Sequence, residues 1–282
     1  METEVLHECD LCGSLELTEI DDLASVWRCE ECGYVFDNPR PTIDALVRFY
    51  STPGKYNDWL VDESLRRALW LRRLKLMRKD FHPGNVLDVG SGIGQFLKLA
   101  GQHYAPATGT EVSTVAITIA RKRYGVELCE GELLNLDLES RAYDNITMFH
   151  VLEHVPSPRL LLEKAHELLR PGGHLYIAVP NDVPAAYQRE KPLPATSSLG
   201  LGKVHLGGSM SEIHLSHFRP EVLRETLVAR GFTVKRQTLD PYFVASGVRR
   251  VKAEGRLLYH RIVANLVSES TYDATWTVAV RH

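Results

Sequence analysis

A charge excess of either sign is missing from this chain: 33 Lys and Arg against 36 Asp and Glu leave a formal net charge of −3 over 282 residues. Without a basic surplus there is no electrostatic footprint for a nucleic-acid backbone. Long apolar runs are also missing, and none approaches the roughly 20 residues that cross a bilayer. The acidic start, Met1-Glu2-Thr3-Glu4, is followed by no apolar signal core, so a cytoplasmic protein with no membrane partner is expected. Cysteine is scarce beyond residue 32: only Cys129 remains, and it reads as a small core residue. The balance, 44% hydrophobic and 24% charged, is that of a globular protein with a sizeable core. Its length suits one large domain plus an accessory module.

The other four cysteines form two pairs, Cys9-x-x-Cys12 and Cys29-x-x-Cys32, with 16 residues between them. This is the two-knuckle zinc spacing. Gly13 and Gly33 follow the second cysteine of each pair, so tight turns can aim backbone N–H groups at the thiolates. Two disulfides are the alternative, disfavoured without a secretion signal. Four thiolates fill a tetrahedral zinc, so the expected metal is structural, held by Cys9, Cys12, Cys29 and Cys32 in a module over 1–41.

A glycine turn organises the rest. Asn85-Val-Leu-Asp-Val-Gly-Ser-Gly-Ile-Gly94 reads as a short buried strand over Val86–Val89, a turn, and a helix from Gln95. A dinucleotide fingerprint needs a third small residue where Gln95 stands, and Asp88 just before the turn would repel a pyrophosphate. A carboxylate there suits a cationic ligand. The stretch resembles the first motif of class I S-adenosylmethionine (SAM) methyltransferases, an acidic residue before G-x-G-x-G.

Upstream, residues 42–84 read as a helical lobe, with a short helix at Ile43–Phe49. A longer one spans Leu60–Lys79, with Leu65, Leu69 and Leu76 buried and its arginines solvated. Downstream, strands alternate with helices. Ala107–Glu111 ends in a carboxylate 23 positions after Asp88, close to the spacing of a ribose-binding acid. Ser113 caps a helix to Arg123, and Val126–Cys129 is a third strand, followed by Gly131-Glu132-Leu133. Tyr143–Phe149 is a fourth strand running into His150-Val-Leu-Glu-His154. A helix over Pro158–Leu169 stops at Arg170-Pro-Gly-Gly173, and His174–Val179 is the fifth strand.

From Asp182 the chain loses periodicity, a lid insertion over about 182–215. A helix from Pro220, the strands Phe232–Thr238 and Asp273–Val280, and a helix at Val244–Val267 complete it. Arg249, Arg250, Lys252, Arg256 and Arg261 give that last helix a basic face, read as solvated surface, with a phosphate-bearing acceptor as the sharper alternative.

The first motif, the acidic second strand, V-L-E-H and L-R-P-G-G occur in order, and together resemble a class I SAM-dependent methyltransferase over about 85–282. The cysteine segment with C-G-Y-V-F-D-N-P-R-P resembles the branch that precedes a small-molecule or sugar methyltransferase with a zinc-binding segment. The resemblance implies an α/β, doubly wound, Rossmann-like seven-stranded sheet whose last strand is antiparallel, and activity in EC 2.1.1.-. It implies a SAM site made by Asp88, Gly90, Ser91, Gly92, Gly94, Glu111, Val112, Glu132, Leu133 and the strand-end His150.

Methyl transfer to a hydroxyl or acidic C–H also needs a base, for which histidine is suited at pH 7. His214 is the expected base, His217 an orienter or acceptor contact, and His154 a further candidate, with a purely structural role for all three as the alternative. In sugar C-methyltransferases a Glu precedes the histidine equivalent to His214; here Ile213 stands there and Glu212 is one residue early. The acceptor is expected to be a small molecule, a sugar nucleotide or natural-product intermediate, bound by a monomer or homodimer. Two rivals remain: a ribosomal-RNA or other nucleic-acid methyltransferase with a zinc ribbon, and a non-catalytic SAM-binding protein. The chain lacks the Asn-Pro-Pro-Tyr/Phe motif that holds a flipped amino base and a Pro-Cys nucleophile after the fourth strand.

Overall fold

The computed structural model describes residues 1–21, 25–61, 63–80, 82–181, 204–205, 211–241, 251–252, 254–255, 258–259, 262 and 274–282. Most of the expected lid lies outside these residues, as does most of the Val244–Val267 helix, including Arg249, Arg250, Arg256 and Arg261. The described residues of that segment are helical, and Lys252 is exposed. Among the described residues no helix is long and apolar enough to cross a membrane.

The N-terminal module contributes β1 (Thr3–Glu4), β2 (Leu17–Asp21), β3 (Val26–Cys29), β4 (Val35–Asp37) and β5 (Arg40–Pro41). Three helices follow: α1 (Ile43–Tyr50), capped by the Thr42 hydroxyl, α2 (Asn57–Val61) and α3 (Glu63–Met77). The main domain then runs β6 (Val86–Val89), α4 (Gln95–Ala100), β7 (Ala107–Glu111), α5 (Thr114–Ile119), β8 (Cys129–Glu130), β9 (Tyr143–Phe149), α6 (Pro158–Leu168) and β10 (Leu169–Pro180). β11 (Val204–His205), β12 (Ser211–Glu212), β13 (Ser216–His217), α7 (Pro220–Ala229), β14 (Phe232–Leu239) and β15 (Ala274–Arg281) complete it.

The large sheet has seven strands in the order β14-β15-β10-β9-β6-β7-β8. From β8 to β10 the pairings are parallel, whereas β15 is antiparallel to both β10 and β14. This is the expected doubly wound sheet with its antiparallel terminal strand. Alternation along β10 explains why both faces are covered. Leu175, Ile177 and Val179 pack with Leu161, Leu162 and Ala165 of α6 and with Leu223 and Leu227 of α7. Tyr176 and Ala178 pack on the other face with Leu74 and Met77 of α3, Phe96 of α4 and Trp276 of β15.

Four expectations change. The third strand is only Cys129–Glu130, and because it closes the sheet edge Cys129 is exposed, not a core residue. Arg170–Gly173 is a bulge inside β10 rather than a break before it, since Leu169 already pairs with Tyr143 before the register shifts to His174–Asn145. On α3, Arg73 is 1% exposed, inside the face expected to hold leucines alone. Finally, the cysteine module does not close on itself. Its four-stranded sheet, β13-β4-β3-β2, takes one edge strand from residues 216–217 of the main domain.

Candidate active site

The turn after β6 works because its glycines lie at φ +65° (Gly90) and +54° (Gly92), a region that other residues enter at a cost. A Cβ at Gly90 would stand 2.8 Å from Val151 Cγ2, and one at Gly92 2.9 Å from the Trp59 ring. The backbone is thereby the floor of a cleft at the C-terminal ends of β6, β7 and β9, the place where open α/β sheets bind ligands. The cleft encloses about 980 Å³ of space between atoms, open solvent included.

One carboxylate ties its rim together. Glu111, 7% exposed, accepts from Gly92 N at 2.7 Å, Val112 N at 3.0 Å and Ser113 N at 2.9 Å. Burial raises its pKa while these backbone donors pull it down. Of the residues expected to hold a donor, Gly90, Gly92, Glu111, Val112, Glu132, Leu133 and His150 line this single cleft. Asp88, Ser91 and Gly94 stand behind it. Asp88, 3% exposed, accepts from the Thr147 hydroxyl through Oδ1 at 2.6 Å, and burial pushes its pKa up to about 7. Partly protonated when alone, it would regain its charge beside a cation.

His150 ends β9 at φ +57°, a conformation that needs support from its surroundings in a non-glycine residue. Its N–H donates to Ala178 O at 2.8 Å. Its ring bridges Glu153 Oε1, 3.0 Å from Nδ1, and Arg73 Nη2, 2.7 Å from Nε2; Arg73 in turn forks onto Asp240 through Nε (3.1 Å) and Nη2 (2.5 Å). Burial disfavours the imidazolium, but Asp240 and Glu153 outweigh it and lift the pKa to about 8. The contact with Arg73 opposes this. Arginine cannot lose its proton, so the geometry as it stands is that of a neutral ring accepting at Nε2 and donating from Nδ1.

Removing one partner of such a buried pair strands the other. Asp240→Ala is therefore expected to destabilise the protein by roughly 3–5 kcal/mol in urea unfolding. A change below about 1 kcal/mol would contradict the role given to this pair.

The expected catalytic histidines separate. His154 lines the cleft, with Nδ1 2.6 Å from Ile213 O and 3.1 Å from the Tyr50 hydroxyl. His214, 3% exposed, stacks edge-on to His154 at 4.9 Å but is not part of the cleft wall. His217 is elsewhere. Its Nε2 meets Asp37 Oδ1 at 2.9 Å, and both side chains are fully buried in the small sheet. It binds module to domain and is not part of the described cleft lining.

Glu212, set aside from the sequence, does line the cleft, with Oε2 3.8 Å from His154 Nε2 and 3.9 Å from His214 Nε2. Strand alternation would have found it, since residues i and i+2 share a side and put Glu212 with His214. Ile213 turns the other way, onto Leu46.

In the N-terminal module Cys9 Sγ stands 3.7 Å from Cys32 Sγ, and Cys12 Sγ 3.6 Å from Cys29 Sγ. These separations are far above an S–S bond. They match the edge of roughly 3.8 Å that metal–sulfur bonds of about 2.3 Å give in a tetrahedron. Backbone N–H groups of Leu11 and Cys12 point to Cys9, and that of Tyr34 to Cys32, as the knuckle turns were expected to arrange.

The model of the methyltransferase domain family matches residues 61–237, more than half of the chain. The chain belongs to that family. Its fold is that of the class I SAM-dependent methyltransferases. The chain is 30% identical over 108 residues to the ubiquinone biosynthesis O-methyltransferase of Pseudomonas paraeruginosa, covering 36% of this chain and 47% of that one. It is 26% identical over 154 residues to the enzyme of the same name from Acinetobacter baylyi, covering 50% and 64%. The chain thus spans less than two thirds of these relatives.

Among solved structures it resembles the N-methyltransferase NodS of Bradyrhizobium japonicum in complex with S-adenosyl-L-homocysteine, with a TM-score of 0.52 at 15% identity over 84% of this chain and 97% of that one. It also resembles the [4+2]-cyclase SpnF, with a TM-score of 0.54 at 19% identity over 87% and 98%. Those likenesses concern the fold alone. The name of the second shows that this fold does not fix the reaction.

Proposed function

We propose that the protein is a SAM-dependent methyltransferase acting on a small-molecule acceptor. The observation that carries this reading is the cleft formed by Gly90, Gly92, Glu111, Val112, Glu132 and Leu133 at the ends of β6 and β7, in a chain of the methyltransferase family. The sulfonium donor supplies an electrophilic methyl group. Glu111, whose two oxygens already accept three N–H bonds, has about one acceptor site left for a ribose hydroxyl, and Glu132 would meet the adenine amino group.

The reaction is an in-line displacement. The acceptor atom forms a bond to the methyl carbon as the sulfur–carbon bond breaks, sulfur keeps the electron pair, and the acceptor's proton leaves. Alignment of the two reactants supplies much of the rate. The proton goes to the group of His154, Glu212 and His214, of which the first two face the cleft.

The remaining wall includes Ile43, Leu46, Val47, Tyr50, Val155 and Leu161. The described lining includes no Lys or Arg, while Glu111, Glu132 and Glu212 are there. A diphosphate at this end would meet no cation and the Glu212 carboxylate, so a neutral natural-product intermediate fits this wall better than a sugar nucleotide. The four-cysteine cluster is read as a structural zinc site.

The test is methyl transfer from SAM to a panel of neutral hydroxylated compounds and nucleotide sugars. With the responding acceptor, His154→Ala is expected to lower kcat by about 10²–10⁴-fold, the range of a lost proton acceptor, and to leave SAM affinity unaltered. Wild-type turnover in that variant would remove the cluster from the mechanism.

A further inference from the structure

His154 is held with Nδ1 against the Ile213 carbonyl at 2.6 Å. A carbonyl only accepts, so the proton is on Nδ1 and the lone pair on Nε2. That lone pair faces two buried carboxylates, Glu153 Oε1 and Glu212 Oε2, each 3.8 Å away. His214 Nε2 lies 3.9 Å from the same Glu212 oxygen. Ligand atoms of Glu153, His154 and His214 all stand within 4.8 Å of one another. Two carboxylates and two imidazoles converging away from water need positive charge among them, which a proton or a metal ion can supply.

A second observation points the same way. Glu153 is fully buried, and its Oε2 has no hydrogen-bond partner among the described residues. Buried polar atoms are rarely left so.

We propose that Glu153, His154, Glu212 and His214 bind one divalent transition-metal ion at the acceptor end of the cleft, distinct from any ion in the cysteine cluster. Two imidazoles with carboxylates suit zinc, iron(II) or manganese(II). Bonds of about 2.1 Å place ligand atoms about 3.4 Å apart in a tetrahedral shell. The 3.8–3.9 Å spacings close to that with side-chain shifts of about half an ångström, and the wider spacings in the group, up to 4.8 Å, need correspondingly larger ones.

The outer shell is already present. The Ile213 carbonyl orients His154, and His150, backed by Arg73 and Asp240, donates to Glu153 Oε1. Metal-binding histidines and carboxylates are oriented in this way. His154 and Glu212 line the cleft, so the ion would be open to a ligand from that side. If the function proposed above holds, the ion would acidify an acceptor hydroxyl. His154 would then be a ligand, and Glu212 the group nearest the departing proton. The site itself rests on geometry alone.

Zinc is the probe, because it binds such donor sets more tightly than manganese or iron(II). Full-length protein is saturated with zinc, dialysed, and its zinc-to-chain ratio measured by mass spectrometry. The wild type is expected to hold two ions per chain, and Glu212→Gln and His154→Ala one each. In parallel cobalt(II) samples, thiolate-to-metal bands persist in all three proteins and show that the variants are folded. Weaker visible bands from nitrogen and oxygen coordination occur in the wild type alone. One ion per wild-type chain overturns the proposal, as do two ions in both variants. SAM titration of the same samples is read separately. Two ions without SAM binding would sink the proposed function and leave the metal site standing.

Discussion

Cys29→Ser is expected to unfold the N-terminal module, and the damage should reach the acceptor end of the cleft. Apparent metal-binding free energies of roughly 10–16 kcal/mol make small thiolate–zinc modules fold with their ion, so losing one of four ligands removes the main support of residues 1–41. The path into the main domain is specific. β13 pairs with β4, and Leu215 joins the two sides, its carbonyl accepting from Asp37 N at 3.0 Å and its N–H donating to Glu153 O at 2.6 Å. Tyr34 Oη and Ser216 Oγ, 2.5 Å apart, add a buried link.

Releasing the module therefore frees the segment that carries Glu212 and His214, just before β13. Limited proteolysis should cleave residues 1–41 in the variant and spare them in the zinc-loaded wild type. Methyl transfer should fall by at least about tenfold, in line with a displacement of the proposed proton-accepting group. SAM affinity, set by the distant β6–β7 turns, should change by less than about threefold. A protease-resistant, fully active variant would show that the thiolates hold no structural ion.

The second large effect belongs to Glu111. Its side chain accepts from three backbone N–H groups, one of them on the glycine turn itself. Each bond to a charged acceptor contributes about 1.5–3 kcal/mol, and three buried donors are left bare when the carboxylate goes. Glu111→Ala is thus expected to release Gly92 and to remove the acid proposed to meet the ribose. The SAM dissociation constant should rise by about 100-fold or more, which corresponds to the loss of about one to two such bonds. Glu111→Gln keeps one acceptor oxygen and most of the volume, and should fall between the two. Calorimetry in which Glu111→Ala binds SAM as tightly as the wild type would contradict this role.

How much of this the sequence disclosed depended on how local each signal was. The β6 turn was legible because a buried strand, three glycines and a helix start follow one another within about ten residues, each with its own backbone reason. Glu111 was legible by its distance from Asp88. Glu212 was passed over because its position was compared with a family pattern, whereas the two-residue period of an extended chain pairs it with His214. Arg73 was hidden for a different reason. Helical periodicity assigns arginine to the solvated face, and only the arrival of Asp240 from the far end of β14 makes its burial tolerable. The ion pair of His217 was hidden because its partner Asp37 lies 180 residues away, a pairing that no window of sequence contains. The exposed Cys129 follows from β8 being an edge strand, which strand order decides and hydrophobicity does not.

The central claim is that the cleft at the ends of β6 and β7 takes SAM, and direct titration tests it most simply. Wild-type protein should bind one SAM per chain in a saturable isotherm, S-adenosyl-L-homocysteine should compete for the same site, and NAD should give no heat of binding. Saturable binding of NAD, or no binding of SAM by zinc-loaded folded protein, would contradict the account.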